Sequence, residues 1–131
     1  MSSGDSIFNW QELIDLANNL KSWSEVGSNE AINRSIISRS YYGAFCLARN
    51  LAKKNGWITL SNNGTDHDKV KRYYKDDKNK IKKQIGVVLE RLHTDRKYAD
   101  YEDFCCNSEQ KAEVSINRAL DVGAQLEHLV P

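Results

Sequence analysis

The chain has 131 residues and a mass of 15.0 kDa, with 19 Lys and Arg against 18 Asp and Glu for a formal charge of +1. That length holds one core and excludes a second domain of ordinary size, while 40% hydrophobic residues exclude a disordered chain. The one proline is the last residue, Pro131, so nothing interrupts a helix and the proline-marked turns of sandwiches and barrels are missing; an all-α fold is expected.

Asn9, with Glu12 three residues on, has the pattern of an N-cap and its capping-box partner. Trp10, Leu13, Ile14, Ala17 and Leu20 follow at helical spacing and predict a first helix over residues 10–22. After a loop around Val26-Gly27-Ser28, the longest helix is predicted over residues 29–54, stopped by Gly56 just beyond its last turn. Ile37, Tyr41, Ala44, Ala48 and Leu51 line one of its faces, and Ile36, Tyr42, Phe45 and Leu47 fill the others. A helix apolar nearly all round sits centrally in a bundle.

Asn62-Asn63-Gly64-Thr65 reads as a surface loop, after which Thr65 and Asp68 can box-cap a short helix through Tyr74. Ile81, Ile85, Val88, Leu89 and Leu92 mark a helix over residues 78–96, with an end expected near Ala99 where acidic residues accumulate. Asn107 with Gln110 opens the last helix, carried by Ala112, Ile116, Ala119, Gly123, Leu126 and Val130. Short connections favour antiparallel neighbours, so the expected architecture is a four- to five-helix up-and-down antiparallel bundle over residues 1–131.

Neither a cationic N-terminal segment nor a run of roughly 20 apolar residues is present, so the protein is expected in the cytoplasm, away from membranes. Cys46, Cys105 and Cys106 are odd in number and lack C-x-x-C spacing, which fits reduced thiols. His67, His93 and His128 are scattered singly, so neither a metal nor a cofactor is expected.

The small net charge conceals an asymmetry. Asp68 to Lys83 holds eight cations and three anions, a local charge of +5, whereas the first thirty residues hold one cation and five anions, a local charge of −4. A basic segment that includes Tyr73 and Tyr74 has the charge to follow a phosphate backbone and rings on which to stack a base; the competing reading is a solvated helix face with both tyrosines in the core.

Within the long helix lies Ser38-Arg39-Ser40-Tyr41-Tyr42-Gly43-Ala44-Phe45. A buried Arg39 needs a carboxylate or phosphate partner because a guanidinium does not shed its charge. Gly43 in mid-helix costs up to about 1 kcal/mol relative to Ala, which close helix approach would justify. Further on, Asp100 lies one turn beyond Arg96 and can pair with it or with Arg39. Arg96 and Tyr101 are separated by about 140° on a regular helix, so a helix end or distortion is expected if both address one phosphate.

These two segments, Ser38-Arg39-x-Tyr41-Tyr42-x-Ala44-Phe45 and Leu92-x3-Arg96-x2-Ala99-Asp100-Tyr101, resemble the small stand-alone HEPN-domain proteins of bacteria and archaea, and the resemblance extends from the first helix to the last. It implies a helical bundle, usually a homodimer, and many members are metal-independent endoribonucleases of toxin–antitoxin or anti-phage defence systems, often encoded beside a nucleotidyltransferase; others are non-catalytic binding modules. The family's nuclease signature is Arg, four to six residues, then His. Here Arg96 is followed at those registers by Tyr101, Glu102 and Asp103. A tyrosine, with a pKa near 10, exchanges protons poorly at neutral pH compared with a histidine near 6.5.

The resemblance implies Arg96 as the phosphate-holding group, with Asp100 and Arg39 supporting it and Tyr101 orienting the ribose or phosphate. His93, three residues before Arg96 on the same helical face, is the substitute proton carrier, while His67 reads as a surface or locally bonded residue. Arg39, Tyr42, Lys97, Lys69, Lys71 and Arg72 are the expected RNA contacts. The alternative function is a non-catalytic interaction subunit that binds a partner protein or nucleotide through this cleft or through the acidic first helix.

Overall fold

The computed structural model describes residues 8–22, 29–61, 66–104 and 107–129. Five α-helices and no strand occur among them: α1 (Gln11–Leu20), α2 (Asn29–Lys54), α3 (Asp66–Lys75), α4 (Lys80–Tyr101) and α5 (Ser108–His128). The all-helical bundle expected from the lone terminal proline and the 3.6-residue periodicity is therefore present. α2 is its axis and packs on α5, α1 and α4, while α3 lies mainly on α4.

The apolar residues on every side of α2 explain that position. Ile36, Ile37, Tyr41, Ala44, Phe45, Cys46, Ala48 and Ala52 are all buried, so α2 has no continuous polar face. One cluster joins Tyr41, Phe45, Tyr74, Leu89, Leu92 and Val122; a second gathers Ala17, Ile36, Ile37, Ala99, Ala112 and Ile116 nearer the start of α2. Gly43 supplies the expected close approach. A Cβ there would stand 2.6 Å from Ile14 Cγ1 and 3.3 Å from the Trp10 carbonyl, so α1 crosses α2 at a distance only glycine permits. Gly86 plays the same part where α4 meets the end of α3, against the Lys75 backbone.

Helix ends follow local chemistry, with several shifts from the sequence reading. Asn9 Oδ1 accepts from the Gln11 amide at 3.1 Å, but regular helix begins only at Gln11 and stops at Leu20, so the first helix is shorter than residues 10–22. Gly56, at φ +70°, ends α2 as expected: its amide donates to Lys53 O at 3.1 Å and the Trp57 amide donates to Ala52 O at 2.9 Å, the paired bonds of a Schellman motif. α3 begins two residues before Asp68; Thr65, the expected cap, lies outside the described residues, as do Cys105 and Cys106. Asn79 caps α4 by accepting from the Ile81 and Lys82 amides.

At the other end of α4, helix continues to Tyr101 and does not stop near Ala99. The physical reason is Arg34 of α2, whose guanidinium donates to the carbonyls of Ala99 (2.9 Å), Glu102 (2.6 Å) and Asp103 (3.2 Å). These acceptors at the helix terminus would otherwise lack intrahelical partners, and a cation is favourable there. Asn107 precedes α5 in a left-handed conformation, φ 56°, and its side chain makes no capping bond, contrary to the expected box with Gln110.

Candidate functional site

Arg96 organises the polar centre of the molecule. It projects from α4 toward α2 and is only 8% exposed. Its guanidinium carbon lies 5.4 Å from the ring centre of Tyr41, 5.1 Å from Tyr42 and 6.0 Å from Tyr101, within the range of cation–π attraction. Asp100 Oδ2 is its ion-pair partner at 3.4 Å and also accepts from Ser38 Oγ at 3.4 Å. Arg96 Nε is buried without a hydrogen-bond partner among the described residues. This fixed charge, 92% removed from water, is held by one long ion pair and leaves a buried donor unsatisfied, an uncommon state for a charged group.

Two histidines complete the cluster. His93 of α4 stacks on Tyr41, with centroids 4.8 Å apart and planes inclined by 14°. His67 of α3 stacks on Phe45 at 4.2 Å and 7°, and its Nδ1 shares a 2.6 Å hydrogen bond with the Tyr41 hydroxyl. The two imidazole centres are 5.8 Å apart. α2 thus provides an aromatic floor of Tyr41, Tyr42 and Phe45, on which α3 places His67 and α4 places His93 and Arg96.

The protonation of this cluster follows from its partners. Lys71 Nζ donates to His93 Nδ1 at 2.6 Å. An ammonium has no acceptor, so His93 accepts at Nδ1 and carries its one proton on Nε2. Burial, reinforced by Lys71, Lys97 and Arg96, pushes the His93 pKa down to about 4. Burial lowers that of His67 as well, followed by the charges of Arg96 and Lys71. Tyr41 remains a neutral phenol because its buried hydroxyl is pushed far above its usual range. Near pH 7 the cluster therefore presents Arg96, His93 Nε2–H and two neutral titratable rings. His67 differs from His93 in one respect: a hydroxyl both donates and accepts, so the bond to Tyr41 is compatible with a proton on either nitrogen of His67.

The residues singled out in the sequence fall into three groups. Arg96, Asp100, Tyr42, Tyr101 and His93 come together. Tyr101 meets Arg96 at a helix end, one of the two conditions expected: it is the last residue of α4, and it is 72% exposed. Lys71 also belongs here, but turned inward onto His93 and Asp68 rather than presented to solvent. Arg39 is half-buried on α2 and forms no ion pair or hydrogen bond among the described residues, so the Arg39–Asp100 bridge does not form and Asp100 turns to Arg96 and Ser38.

The basic segment is partly consumed by internal contacts. Lys69 Nζ donates to Thr59 O, and Lys82 sits 3.7 Å over the Trp57 ring and bonds the Tyr73 hydroxyl. Tyr74 is fully buried and donates to Ala48 O, which excludes it as a stacking platform; Arg72 and Lys97 stay exposed. His67, read from the sequence as a surface or locally bonded residue, instead bonds across to α2. Its position two residues into a helix whose Val70 and Tyr74 face the core was the available signal: positions 67, 70, 71 and 74 share a face.

Cys46 is a buried free thiol whose pKa is raised by desolvation, a packing residue without nucleophilic character. Among the described residues no cluster of His, Cys, Asp or Glu has the makings of a metal site, and no helix is long and apolar enough to cross a membrane. Compared with protein-family models, with curated proteins and with solved structures, the chain matches none.

Proposed function

We propose that the chain is an RNA-directed protein of HEPN type, the kind associated with toxin–antitoxin and anti-phage loci, and that Arg96 receives a phosphodiester of a single strand. The observation that carries this reading is a buried guanidinium held by a single 3.4 Å ion pair to Asp100 beside two neutral histidines. An arriving phosphate oxygen would find a charged donor already desolvated and oriented by three tyrosine rings, the kind of preorganised electrostatic environment that favours an anion over water.

The same placement supports metal-independent cleavage, with His67 as the proton carrier rather than His93. In that reaction the 2′-hydroxyl proton passes to His67 Nε2, the 2′-oxygen bonds to phosphorus, and the P–O5′ bond breaks. The leaving 5′-oxygen takes a proton from water, the hydroxide so formed takes back the proton held by His67, and the product ends in a 2′,3′-cyclic phosphate. Arg96 neutralises the charge that develops on the phosphoryl oxygens. His93, locked by Lys71 with its proton on Nε2, serves as a hydrogen-bond donor to phosphate.

Total RNA incubated with the protein in EDTA tests both levels. Cleavage that disappears in Arg96→Met and His67→Asn supports the nuclease. RNA binding that depends on Arg96 without cleavage supports the second reading, a non-catalytic binding subunit, which the lock on His93 and the tyrosine at position 101 favour. RNA binding indifferent to Arg96→Met removes both. A homodimer belongs to the same proposal: Tyr98, Tyr101 and Phe104 are exposed aromatic residues within seven positions at the end of α4, and analytical ultracentrifugation of wild type against Phe104→Ser decides whether a second copy covers them.

A further inference from the structure

His67 has a second neighbourhood, opposite in character to the ring stack. Past Phe45, a cavity of about 430 Å³ opens between α2 and the start of α3, lined by Arg49, Asn50, Lys53, Leu60, Asp66 and His67 as well as Phe45. Arg49 and Lys53 are successive turns of α2, and neither pairs with a carboxylate among the described residues. The Arg49 guanidinium rests 5.7 Å from the Trp10 ring centre and its Nε donates to Asn50 Oδ1 at 3.0 Å, while its two terminal nitrogens have no partner among the described residues. Asp66, the one carboxylate of the lining, is 8% exposed and accepts from the Ser61 amide and hydroxyl at 3.1 and 2.9 Å, so its charge is already committed.

We infer that this cavity is a second phosphate subsite, which takes the phosphate adjacent in the strand to the one held by Arg96, with Arg49 and Lys53 as its ligands and His67 as the wall between the two. The inference rests on the proposed RNA reading. Tyr42, which touches Arg96, and Arg49 are seven residues apart on α2, about 10 Å along the helix axis. One continuous strand can therefore address both cations while its intervening ribose passes His67. A guanidinium with two terminal NH2 groups available suits the bidentate recognition of a phosphate, and Lys53 adds a point charge at the solvent edge.

The test uses calorimetric titration with a ribodinucleotide whose first sugar is 2′-deoxy, so that it is not cleaved, offered bare, with a 5′-phosphate and with a 3′-phosphate. One terminal phosphate should tighten binding at least fivefold over the bare dinucleotide. Lys53→Gln, an exposed change, should by itself halve that advantage or better, and Arg49→Met with Lys53→Gln should abolish it while leaving the bare dinucleotide unaffected. Equal binding of all three ligands by wild type, or an advantage that survives the double variant, overturns the subsite. AMP binding as tightly as the phosphorylated dinucleotide would make the cavity a free-nucleotide site and overturn the strand reading. Arg96→Met should weaken all three dinucleotides alike; if it weakens none while the terminal-phosphate advantage persists, the RNA reading at Arg96 falls and the Arg49 subsite stands.

Discussion

Lys71 Nζ and His93 Nδ1 are joined by a 2.6 Å hydrogen bond that ties α3 to α4 at the edge of the Arg96 cluster. Because the donor is an ammonium, the bond exists only while His93 is neutral, and protonation of the ring breaks it and places two cations side by side. Lys71 thereby sets the tautomer of His93 and reinforces the neutral state that burial imposes.

Stability should consequently fall on mild acidification. The His93 pKa is about 4 in the folded chain and near 6.5 unfolded. Between those values the unfolded state binds more protons, so the free energy of unfolding rises with pH across the window and the contribution is complete above pH 6.5. His67, also depressed, acts in the same direction. Urea unfolding should show a lower midpoint at pH 5 than at pH 7, with a smaller difference in His93→Gln. Ring-proton NMR should find the His93 titration moved upward in Lys71→Met.

Asp100 competes with any incoming anion for Arg96. Removing its charge with Asp100→Asn, which keeps the shape and the bond to Ser38, should tighten RNA binding by about fivefold, on the order of 1 kcal/mol as expected for a partly exposed charge pair. Loss of affinity in that variant would mean that Asp100 holds Arg96 in position rather than opposing the ligand. Filter binding at two salt concentrations separates the outcomes.

Arg34 holds the end of α4 through three carbonyls. Arg34→Met should cost about 2 kcal/mol of stability and raise amide hydrogen exchange selectively over residues 98–102, the turn that carries Asp100 and Tyr101. Uniformly faster exchange throughout the chain would instead assign Arg34 a global role.

Two glycines set how closely helices meet. Gly43→Ala gains up to about 1 kcal/mol of helix propensity but drives a methyl group to 2.6 Å from Ile14 Cγ1, and should destabilise by about 1–2 kcal/mol net. Gly86→Ala meets Lys75 backbone, which yields less readily than a side chain, and should cost more. Thermal unfolding of the two variants under one buffer checks both sign and order.

The residue pattern alone determined the all-α class, the extent of α2 and its central place. Those depend on local periodicity and on Gly56, whose positive φ makes the helix end a property of one residue. Gly43 likewise signalled close packing before its neighbour was known. Tertiary contact decided the rest. α4 runs past Ala99 because Arg34, more than sixty residues earlier, supplies donors for its last carbonyls, a relation without any local trace. Lys71 and Lys69 count equally as cations in the composition, yet one is sequestered on an imidazole and the other bonds a loop carbonyl. His67 and Arg49 gained their significance only when α3 folded back onto α2. Charge and spacing in a sequence show what a residue offers; whether that offer is already taken by another part of the chain depends on distances that only the folded bundle sets.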